Sequence, residues 1–351
     1  MTHTITIHHA GETAQHTQFT CNPDQTVLDA ALAAGLILPY GCKNGACGSC
    51  KAPQGSGVVT HKHDNSTVQQ AISEGAALLC CALPHSDASF TTRVAAIDAA
   101  YPLKKLPTRI ASIETAAPDV KIVRLQLPAA EKLAFKAGQY LEFILRDGSR
   151  RAYSMANAPH SLETINQLEL HIRHTLGGLF TDALFSVEGS ALAAIKEKDI
   201  MRIEVPHGTF YLRTDTEKPM IMVASGTGFA PIKAMIEHSL HSGNTRPITL
   251  YWGGRSVHDL YLHTLAQSWA AAHSHIHYVP VVSDALDGWS GRTGFVHQAA
   301  MADFPDMSGH EVYACGAPIV VNSAQRDFVT LCSLPSDAFF ADSFTSAADG
   351  A

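Results

Sequence analysis

The placement of the cysteines constrains this chain more than any other feature. Eight cysteines occur in 351 residues, and Cys42, Cys47, Cys50, Cys80 and Cys81 lie within forty residues of one another. The N-terminal segment lacks the charged start, apolar core and small-residue cleavage site of a secretory signal, so we expect a cytoplasmic protein. Structural disulfides are not sustained in that compartment. The clustered cysteines therefore predict a metal or cluster site rather than disulfide pairs.

The spacing of the first three clustered cysteines is Cys42-x4-Cys47-x2-Cys50, and 29 residues separate Cys50 from Cys80. This arrangement resembles that of plant-type [2Fe-2S] ferredoxins. A zinc site is the alternative, but zinc sites favour paired C-x2-C hooks, and one such hook is present. The resemblance implies that Cys42, Cys47, Cys50 and a fourth cysteine bind a [2Fe-2S] cluster.

Cys80 and Cys81 compete for the fourth position. Adjacent residues of an extended strand point to opposite faces, so we expect one of them to face the cluster. The other is then a small buried hydrophobic residue. In plant-type ferredoxins the last ligand often precedes a short apolar stretch that ends in proline. The segment Cys80-Cys-Ala-Leu-Pro84 resembles that stretch and favours Cys80.

Hydrophobic patterning divides the chain into three predicted domains. Residues 1–95 form a small mixed domain, for which the ferredoxin resemblance implies a β-grasp-like fold, and residues 96–107 carry two prolines and two lysines typical of a linker. Short strands punctuated by turn residues predict an antiparallel β-barrel over 108–214. From 215 to 351, strand-like runs alternate with helix-length segments such as Val257–Ala272, which predicts an α/β domain with a parallel sheet.

Charge and hydropathy exclude two classes of partner. The chain has 25 Lys and Arg against 32 Asp and Glu, a net charge of −7, so it carries no basic field for nucleic acid. No apolar run reaches the roughly 18 to 20 residues that a membrane span needs. We therefore expect neither nucleic-acid binding nor a membrane span.

Two short motifs in the predicted barrel suggest a flavin site. Arg151 offers a charged fork for a flavin phosphate, Tyr153 an aromatic face and Ser154 a hydroxyl near the reactive ring. Arg151-Ala-Tyr153-Ser154 resembles the R-x-Y-S motif of the ferredoxin–NADP reductase superfamily. The segment Gly177-Gly178-Leu-Phe-Thr181 resembles the G-x-x-[ST] motif of that superfamily, where Gly178 and Thr181 open a helix whose N–H groups favour a pyrophosphate. The resemblance implies bound FAD.

A glycine-containing loop in the last domain suggests a dinucleotide site. Gly226-Thr227-Gly228 follows a predicted strand and precedes a helix, with Pro231 suited to its first turn. The pyrophosphate of a nicotinamide dinucleotide is expected there. No acidic residue directly follows the second strand, and Arg255 is able to accept a 2′-phosphate. Members of the family with an N-terminal ferredoxin domain mostly use NADH, which is our expectation, while NADPH stays open.

Two further segments resemble the nicotinamide- and flavin-facing parts of the same superfamily. Cys315-Gly316 resembles the segment beside the nicotinamide ring, so the resemblance assigns Ser154 and Cys315 to the reacting atoms. Phe344 resembles the terminal aromatic that covers the flavin ring. A place for Phe344 in the core is the equal alternative.

The resemblance covers essentially the whole chain and is strongest to the CDP-6-deoxy-Δ3,4-glucoseen reductase group, partly through His171-Ile-Arg173. It implies hydride transfer from NADH to FAD, followed by single electrons through [2Fe-2S] to an electron-accepting protein, an iron–sulfur dehydrase. Two alternatives remain open at this point. One is the reductase component of a multicomponent oxygenase, and the other is a non-catalytic redox-sensing or scaffold protein.

Overall fold

The computed structural model describes residues 1–11, 15–96, 98–285 and 288–344. These residues form two compact units, Met1–Pro102 with Ser343 and Phe344, and Leu103–Asp342. Among the described helices, none combines the length and the hydropathy needed to cross a bilayer.

The first unit is built on a mixed β-sheet with strand order β2-β1-β8-β4-β6. β1 pairs antiparallel with β2 and parallel with β8, and its alternating sequence buries Ile5 and Ile7 completely. Helix α1 begins after Thr26, whose hydroxyl accepts the Asp29 N–H at 3.1 Å. The elements are β1 (His3–His9), β2 (His16–Cys21), α1 (Val27–Ala33), β3 (Leu36–Ile37), β4 (Lys51–Ser56), β5 (Val59–His61), α2 (Ser66–Ser73), β6 (Ala76–Leu78), β7 (Ala82–Pro84), β8 (Ala88–Thr92) and β9 (Ala95–Ala96).

The second unit begins with an antiparallel sheet of order β13-β12-β15-β10-β11-β14. A bridge between Met155 and Leu170 joins the two ends of this order, so the sheet closes into the expected barrel. The elements are β10 (Lys104–Ala117), β11 (Val120–Gln126), β12 (Tyr140–Ile144), β13 (Arg150–Ser154), α3 (Leu162–Ile165), β14 (Gln167–Arg173), α4 (Leu179–Leu184) and β15 (Ile200–His207).

The expected linker over 96–107 is too long at its C-terminal end. β10 begins at Lys104, which pairs with Val205, and Leu106 packs against the barrel core. At Pro107, β10 pairs with β15, whereas its pairing with β11 begins only at Arg109. Pro107 therefore has a strand on one side, and such an edge position tolerates a residue without an N–H. Residues 104–107 therefore belong to the barrel.

The rest of the second unit is a sheet of order β19-β18-β17-β16-β20-β21. β16 pairs parallel with both β17 and β20, so the strand order reverses at β16, where sheets of this kind bind ligands. The predicted helix Val257–Ala272 is instead a 3₁₀ turn, Val257–Asp259, followed by α6. The elements are β16 (Met220–Ser225), α5 (Phe229–His241), β17 (Ile248–Gly254), α6 (His263–Ala272), β18 (Ile276–Val282), β19 (Arg292–Thr293), α7 (Val296–Asp303), β20 (Glu311–Gly316), α8 (Pro318–Leu331) and β21 (Phe339–Ser343).

A buried ion pair stabilises this sheet and provides a test of the fold. Arg246 donates to Glu311 at 2.7 Å, and both side chains are buried. Replacing Arg246 by Met leaves the Glu311 carboxylate buried without its cation, so we expect a loss of about 3 to 5 kcal/mol of unfolding free energy. Urea unfolding followed by tryptophan fluorescence measures this loss, because all three tryptophans lie between residues 252 and 289.

The matched control is Arg326→Met in the same sheet domain. Arg326 pairs with Asp327 at 2.7 Å, but its side chain is 68% exposed. Exposed pairs of this kind add little to stability, so the urea midpoint of the control is expected to stay at the wild-type value. Equal midpoints for the two variants would contradict a stabilising role for Arg246.

Candidate functional site

Four thiols converge in the first unit. Cys42, Cys47 and Cys50 lie in the loop between β3 and β4, and Cys80 lies between β6 and β7. The Cys47 N–H donates to the Cys42 sulfur at 3.4 Å, and the Cys42 N–H to the Cys47 sulfur at 3.5 Å. The thiols of Cys50 and Cys80 are hydrogen-bonded to each other. All eight cysteines are free, so this soft four-sulfur set fits an iron–sulfur cluster.

The segment that carries Cys80 is a turn, so the expectation of an extended strand was wrong. The Cys81 N–H donates to the Leu78 carbonyl at 3.0 Å and closes the turn. Leu79 anchors it, because its N–H donates to the Cys50 carbonyl at 3.1 Å and its carbonyl accepts the Leu28 N–H at 2.9 Å. These bonds place Cys80 beside Cys50.

Because the segment turns, the sulfurs of Cys80 and Cys81 do not point apart but contact each other. Hydrogen bonds from the Cys50 and Cys81 thiols lower the pKa of Cys80, whereas the bond to Cys80 raises the pKa of Cys81. A Cβ at Gly45 would lie 3.0 Å from the Cys81 sulfur, and Gly45 has a φ of +79° that suits glycine. Cys80 as the fourth ligand stays a prediction, with Cys81 in contact with it.

The structure brings the two predicted flavin motifs together. Tyr153 lies in β13, and its ring centroid is 5.4 Å from that of Phe180, inside the Gly177–Thr181 motif. Burial raises the pKa of Tyr153, which keeps its hydroxyl protonated. Ser154 is buried at the end of β13, and Arg151 is half-buried, with one guanidinium N–H donated to the Arg150 carbonyl at 2.8 Å. The chemistry of this set fits a flavin with its phosphates.

The turn before α4 needs both of its glycines. Gly177 has a φ of +75°, and a Cβ at Gly178 would lie 2.5 Å from the Thr181 hydroxyl oxygen. That hydroxyl donates to the Thr175 carbonyl at 2.8 Å. Thr181 therefore shapes the turn through its hydroxyl, a local role that the motif alone did not suggest.

Arg150, the neighbour of Arg151, is engaged within the barrel. It donates to the carboxylates of Glu142 and Glu204 at 2.6 Å each, and Lys105 lies 3.3 Å from Glu204. Burial opposes ionisation of Glu204, but the Arg150 guanidinium outweighs it and lowers the pKa of this carboxyl to about 2. His207 completes this group of possible metal ligands, but the two cations already balance the two carboxylates.

The dinucleotide loop lies where β16 and β20 end. Gly226–Gly228 form a 3₁₀ turn that leads into α5, with Thr227 and Pro231 buried. A Cβ at Gly228 would lie 2.1 Å from the Cys315 carbonyl oxygen, and a Cβ at Gly316 would lie 2.6 Å from the Ser225 carbonyl oxygen. Only glycines permit this approach of the two strand ends. Cys315 is buried beside it, with a pKa raised by burial.

Arg255 and Phe344 are two further residues that the sequence motifs assigned to the cofactor sites. The Arg255 side chain is 75% exposed, with its Nε 3.9 Å from Asp259. The Asp259 carboxylate accepts the N–H groups of Arg255 at 2.8 Å and Ser256 at 3.1 Å, and Arg173 donates to it at 2.6 Å. Phe344 follows β21 and is half-buried. The roles of Arg255 and Phe344 stay predictions.

Sequence reasoning missed several residues around the dinucleotide loop. Trp252 donates its ring N–H to the Gly226 carbonyl at 3.0 Å, and its ring stacks on Phe229 at 3.8 Å. Arg173 lies against Gly226, since a Cβ there would be 3.0 Å from its guanidinium. The only sequence signal for Arg173 was its place in His171-Ile-Arg173, which carried no chemical assignment.

Three family models match consecutive parts of the chain. They describe a 2Fe-2S iron-sulfur cluster binding domain over residues 11–85, an oxidoreductase FAD-binding domain over 107–211 and an oxidoreductase NAD-binding domain over 222–326. The order and the cofactors agree with the sulfur set, the barrel motifs and the glycine loop described above.

Relatives span the whole chain. The CDP-6-deoxy-L-threo-D-glycero-4-hexulose-3-dehydrase reductase of Yersinia pseudotuberculosis is 39% identical over 93% of this chain and 95% of its own length. Terephthalate 1,2-dioxygenase reductase component 1 of Comamonas sp. is 34% identical over 100% of this chain and 99% of its own length. The crystal structure of the Amycolatopsis cytochrome P450 reductase GcoB matches with a TM-score of 0.75 and 31% identity, covering 98% of this chain and 99% of that one.

The fold and these sites define an NAD(P)H-dependent oxidoreductase that transfers electrons with FAD and a [2Fe-2S] cluster. The chain belongs to the family of iron–sulfur flavoprotein reductases in the ferredoxin–NADP reductase superfamily, which includes hexulose-dehydrase reductases and oxygenase reductase components. The expected fold class, enzyme class and cofactors are thereby confirmed, and the scaffold alternative is excluded.

Proposed function

We propose that this reductase supplies electrons from NADH to a cytoplasmic dehydrase of a CDP-linked 6-deoxyhexulose. The observation that carries this proposal is the 39% identity to the hexulose-dehydrase reductase, against 34% to the terephthalate dioxygenase component. The net charge of −7 also suits a protein partner and not a nucleic acid. An oxygenase component is the second candidate acceptor.

Each predicted site residue has its own chemical role in this proposal. Arg151 binds flavin phosphate, Tyr153 covers the ring, and Ser154 and Cys315 lie at the reacting atoms in this proposal. The Gly226–Gly228 loop presents backbone N–H groups to the dinucleotide pyrophosphate. When bound, the flavin would supply the chemistry of a hydride acceptor for the dinucleotide, and the cluster that of a one-electron carrier. The residues of the chain orient the two cofactors and exclude water from them.

The flavin role of Arg151 predicts a loss of cofactor. Arg151→Ala removes a charge-assisted hydrogen bond to phosphate, so we expect the dissociation constant of FAD to rise by about 10- to 100-fold. The flavin-to-protein ratio after gel filtration and a fluorescence titration with FAD measure this change. Arg146→Ala, an exposed arginine in the preceding loop, is the control and is expected to retain FAD. Normal FAD retention by the Arg151 variant would contradict the assignment.

We propose NADH rather than NADPH as the electron donor. Asp119, Asp259 and Asp284 line the same depression as Arg255, and Arg173 pairs with the first two. Three carboxylates against the two arginines leave a net negative charge there, which disfavours a 2′-phosphate. The expected result is a value of kcat/KM that is at least about tenfold higher for NADH, with ferricyanide as acceptor. A preference for NADPH would assign Arg255 to the 2′-phosphate instead.

The acceptor proposal is tested by reconstitution. In one reaction, the purified reductase and NADH are combined with the CDP-6-deoxy-L-threo-D-glycero-4-hexulose-3-dehydrase and its substrate. In the other, they are combined with the oxygenase component of terephthalate 1,2-dioxygenase and with terephthalate. We expect product formation coupled to NADH oxidation with the dehydrase. Faster coupled turnover with the oxygenase would favour the second candidate, and turnover with neither would overturn both acceptors while leaving ferricyanide reduction intact.

A further inference from the structure

One strand of the barrel contacts three separate elements of the nucleotide-binding half, the part of the second unit from β16 onward. Glu169, His171 and Arg173 occupy alternate positions of β14 and therefore share a face. Their partners are Lys233 in α5, Tyr261 just before α6, and Asp259 in the turn after β17. The six residues Glu169, His171, Arg173, Lys233, Tyr261 and Asp259 are called the β14 seam.

The centre of the seam is a directional chain of hydrogen bonds. His171 is fully buried, and burial lowers its pKa, so the ring is neutral with one donor and one acceptor. Its Nε2 lies 3.1 Å from the Glu169 carboxylate, which only accepts, so Nε2 carries the proton. Its Nδ1 therefore accepts from the Tyr261 hydroxyl at 2.9 Å. Tyr261 thus donates to His171, and His171 donates to Glu169.

Lys233 ties the dinucleotide helix to the flavin strand. Its Nζ lies 3.2 Å from Glu169 and 3.0 Å from Glu237, and it donates to the Ala156 carbonyl at 3.2 Å. Ala156 follows Ser154, the last residue of the flavin motif, by two positions. The helix α5 begins directly after the dinucleotide loop, so a single buried ammonium connects this helix with the segment that follows the flavin motif.

Arg173 reaches both loops of the nucleotide site. Its guanidinium donates to Asp259 at 2.6 Å and lies against Gly226 in the dinucleotide loop. The same Asp259 carboxylate accepts the backbone N–H groups of Arg255 and Ser256. One side chain of the barrel therefore fixes the two loops that the dinucleotide is expected to contact.

We propose that the β14 seam positions the nucleotide-binding loops against the flavin motif for hydride transfer. Its members are positioning residues, since they act through the loops and not on the reacting atoms. A largely buried hydrogen-bonded network restricts its members to one geometry, and a misplacement of about 1 Å between reacting groups costs on the order of 100-fold in rate. The seam controls the rate of hydride transfer more than the affinity for either cofactor.

A matched pair of tyrosine variants tests the proposal. Tyr261→Phe removes the hydroxyl that joins the barrel to the nucleotide-binding half. Tyr278→Phe removes a hydroxyl with the same 2.9 Å bond to a histidine, but its partner His263 lies in the nucleotide-binding half as well. Stopped-flow absorbance measures the limiting rate of flavin reduction by NADH, and calorimetry measures binding of the unreactive tetrahydro-NADH. Flavin content and the thermal midpoint are recorded for each variant.

We expect the limiting rate of Tyr261→Phe to be about tenfold lower, because the free energy of one lost hydrogen bond corresponds to roughly a factor of ten in rate. The affinity for tetrahydro-NADH is expected to stay within about twofold of the wild-type value. Tyr278→Phe is expected to reduce flavin at the wild-type rate. A wild-type rate in Tyr261→Phe, or equal slowing in both variants, overturns the proposal.

A second variant covers the case in which Tyr261→Phe loses its flavin. Lys233→Met breaks the link to Ala156 and Glu169 without touching Tyr261. We expect a lower limiting rate of flavin reduction with FAD still bound. A lower thermal midpoint with an unchanged limiting rate would assign the seam to stability alone and overturn the proposal.

Discussion

Removal of residues 1–102 is expected to abolish cytochrome c reduction while NADH-dependent ferricyanide reduction continues. The residues from Leu103 to Asp342 form a compact unit that contains the flavin and dinucleotide motifs, and the four predicted cluster cysteines lie outside it. Ferricyanide is small enough to reach the flavin, whereas the protein acceptor takes electrons from the cluster. Anaerobic assays with each acceptor should show cytochrome c reduction below about a tenth of the full-length rate.

The start of the fragment matters for this experiment. Lys104 pairs with Val205 in the barrel, so a fragment that begins at Leu103 keeps the whole of β10. A cut near Leu106, toward the end of the linker expected over 96–107, would remove part of that strand. Full-length Cys42→Ser, which lacks a predicted cluster ligand but keeps the first unit, is the control and should behave like the fragment. Undiminished cytochrome c reduction by the fragment would show that electrons leave by another route.

The second large effect is expected at the adjacent cysteines. Cys80→Ser removes the thiol that contacts Cys50 and replaces it by a harder oxygen, a poorer iron ligand. We expect a lost or spectrally altered cluster with flavin content and ferricyanide activity kept. Cys81→Ser is expected to cost on the order of 1 kcal/mol of stability, as a typical point substitution does. Iron and acid-labile sulfide per flavin, with optical spectra, measure both variants.

The contact between Cys80 and Cys81 makes a remote control necessary. Cys332→Ser alters another buried cysteine, far from the sulfur set in sequence and in the other unit, and should leave the iron count unchanged. A cluster that survives in Cys80→Ser but is lost in Cys81→Ser would reassign the fourth ligand to Cys81. Loss in both variants would show that the cluster needs the pair.

Local chemistry is what the sequence alone determined. The spacing of Cys42, Cys47 and Cys50 predicts a cluster loop, because three thiols within nine residues leave the backbone few ways to converge on a cluster. The Gly226–Gly228 loop is constrained in a similar way, since the positive φ of Gly226 and the close backbone contact of Gly228 both favour glycine. The order of the three cofactor modules follows from such segments, and the family models agree with it.

Contacts between distant segments decided the rest. The turn at Cys80 depends on bonds from Leu79 to Cys50 and Leu28, so strand alternation was the wrong guide to the adjacent sulfurs. The predicted helix over Val257–Ala272 is interrupted because Asp259 caps the Arg255 turn and accepts from Arg173, 86 residues earlier. A periodic pattern reports the environment averaged along one element. It carries no information about which distant charge or hydroxyl the fold will place against a given residue, and only the tertiary structure decides that.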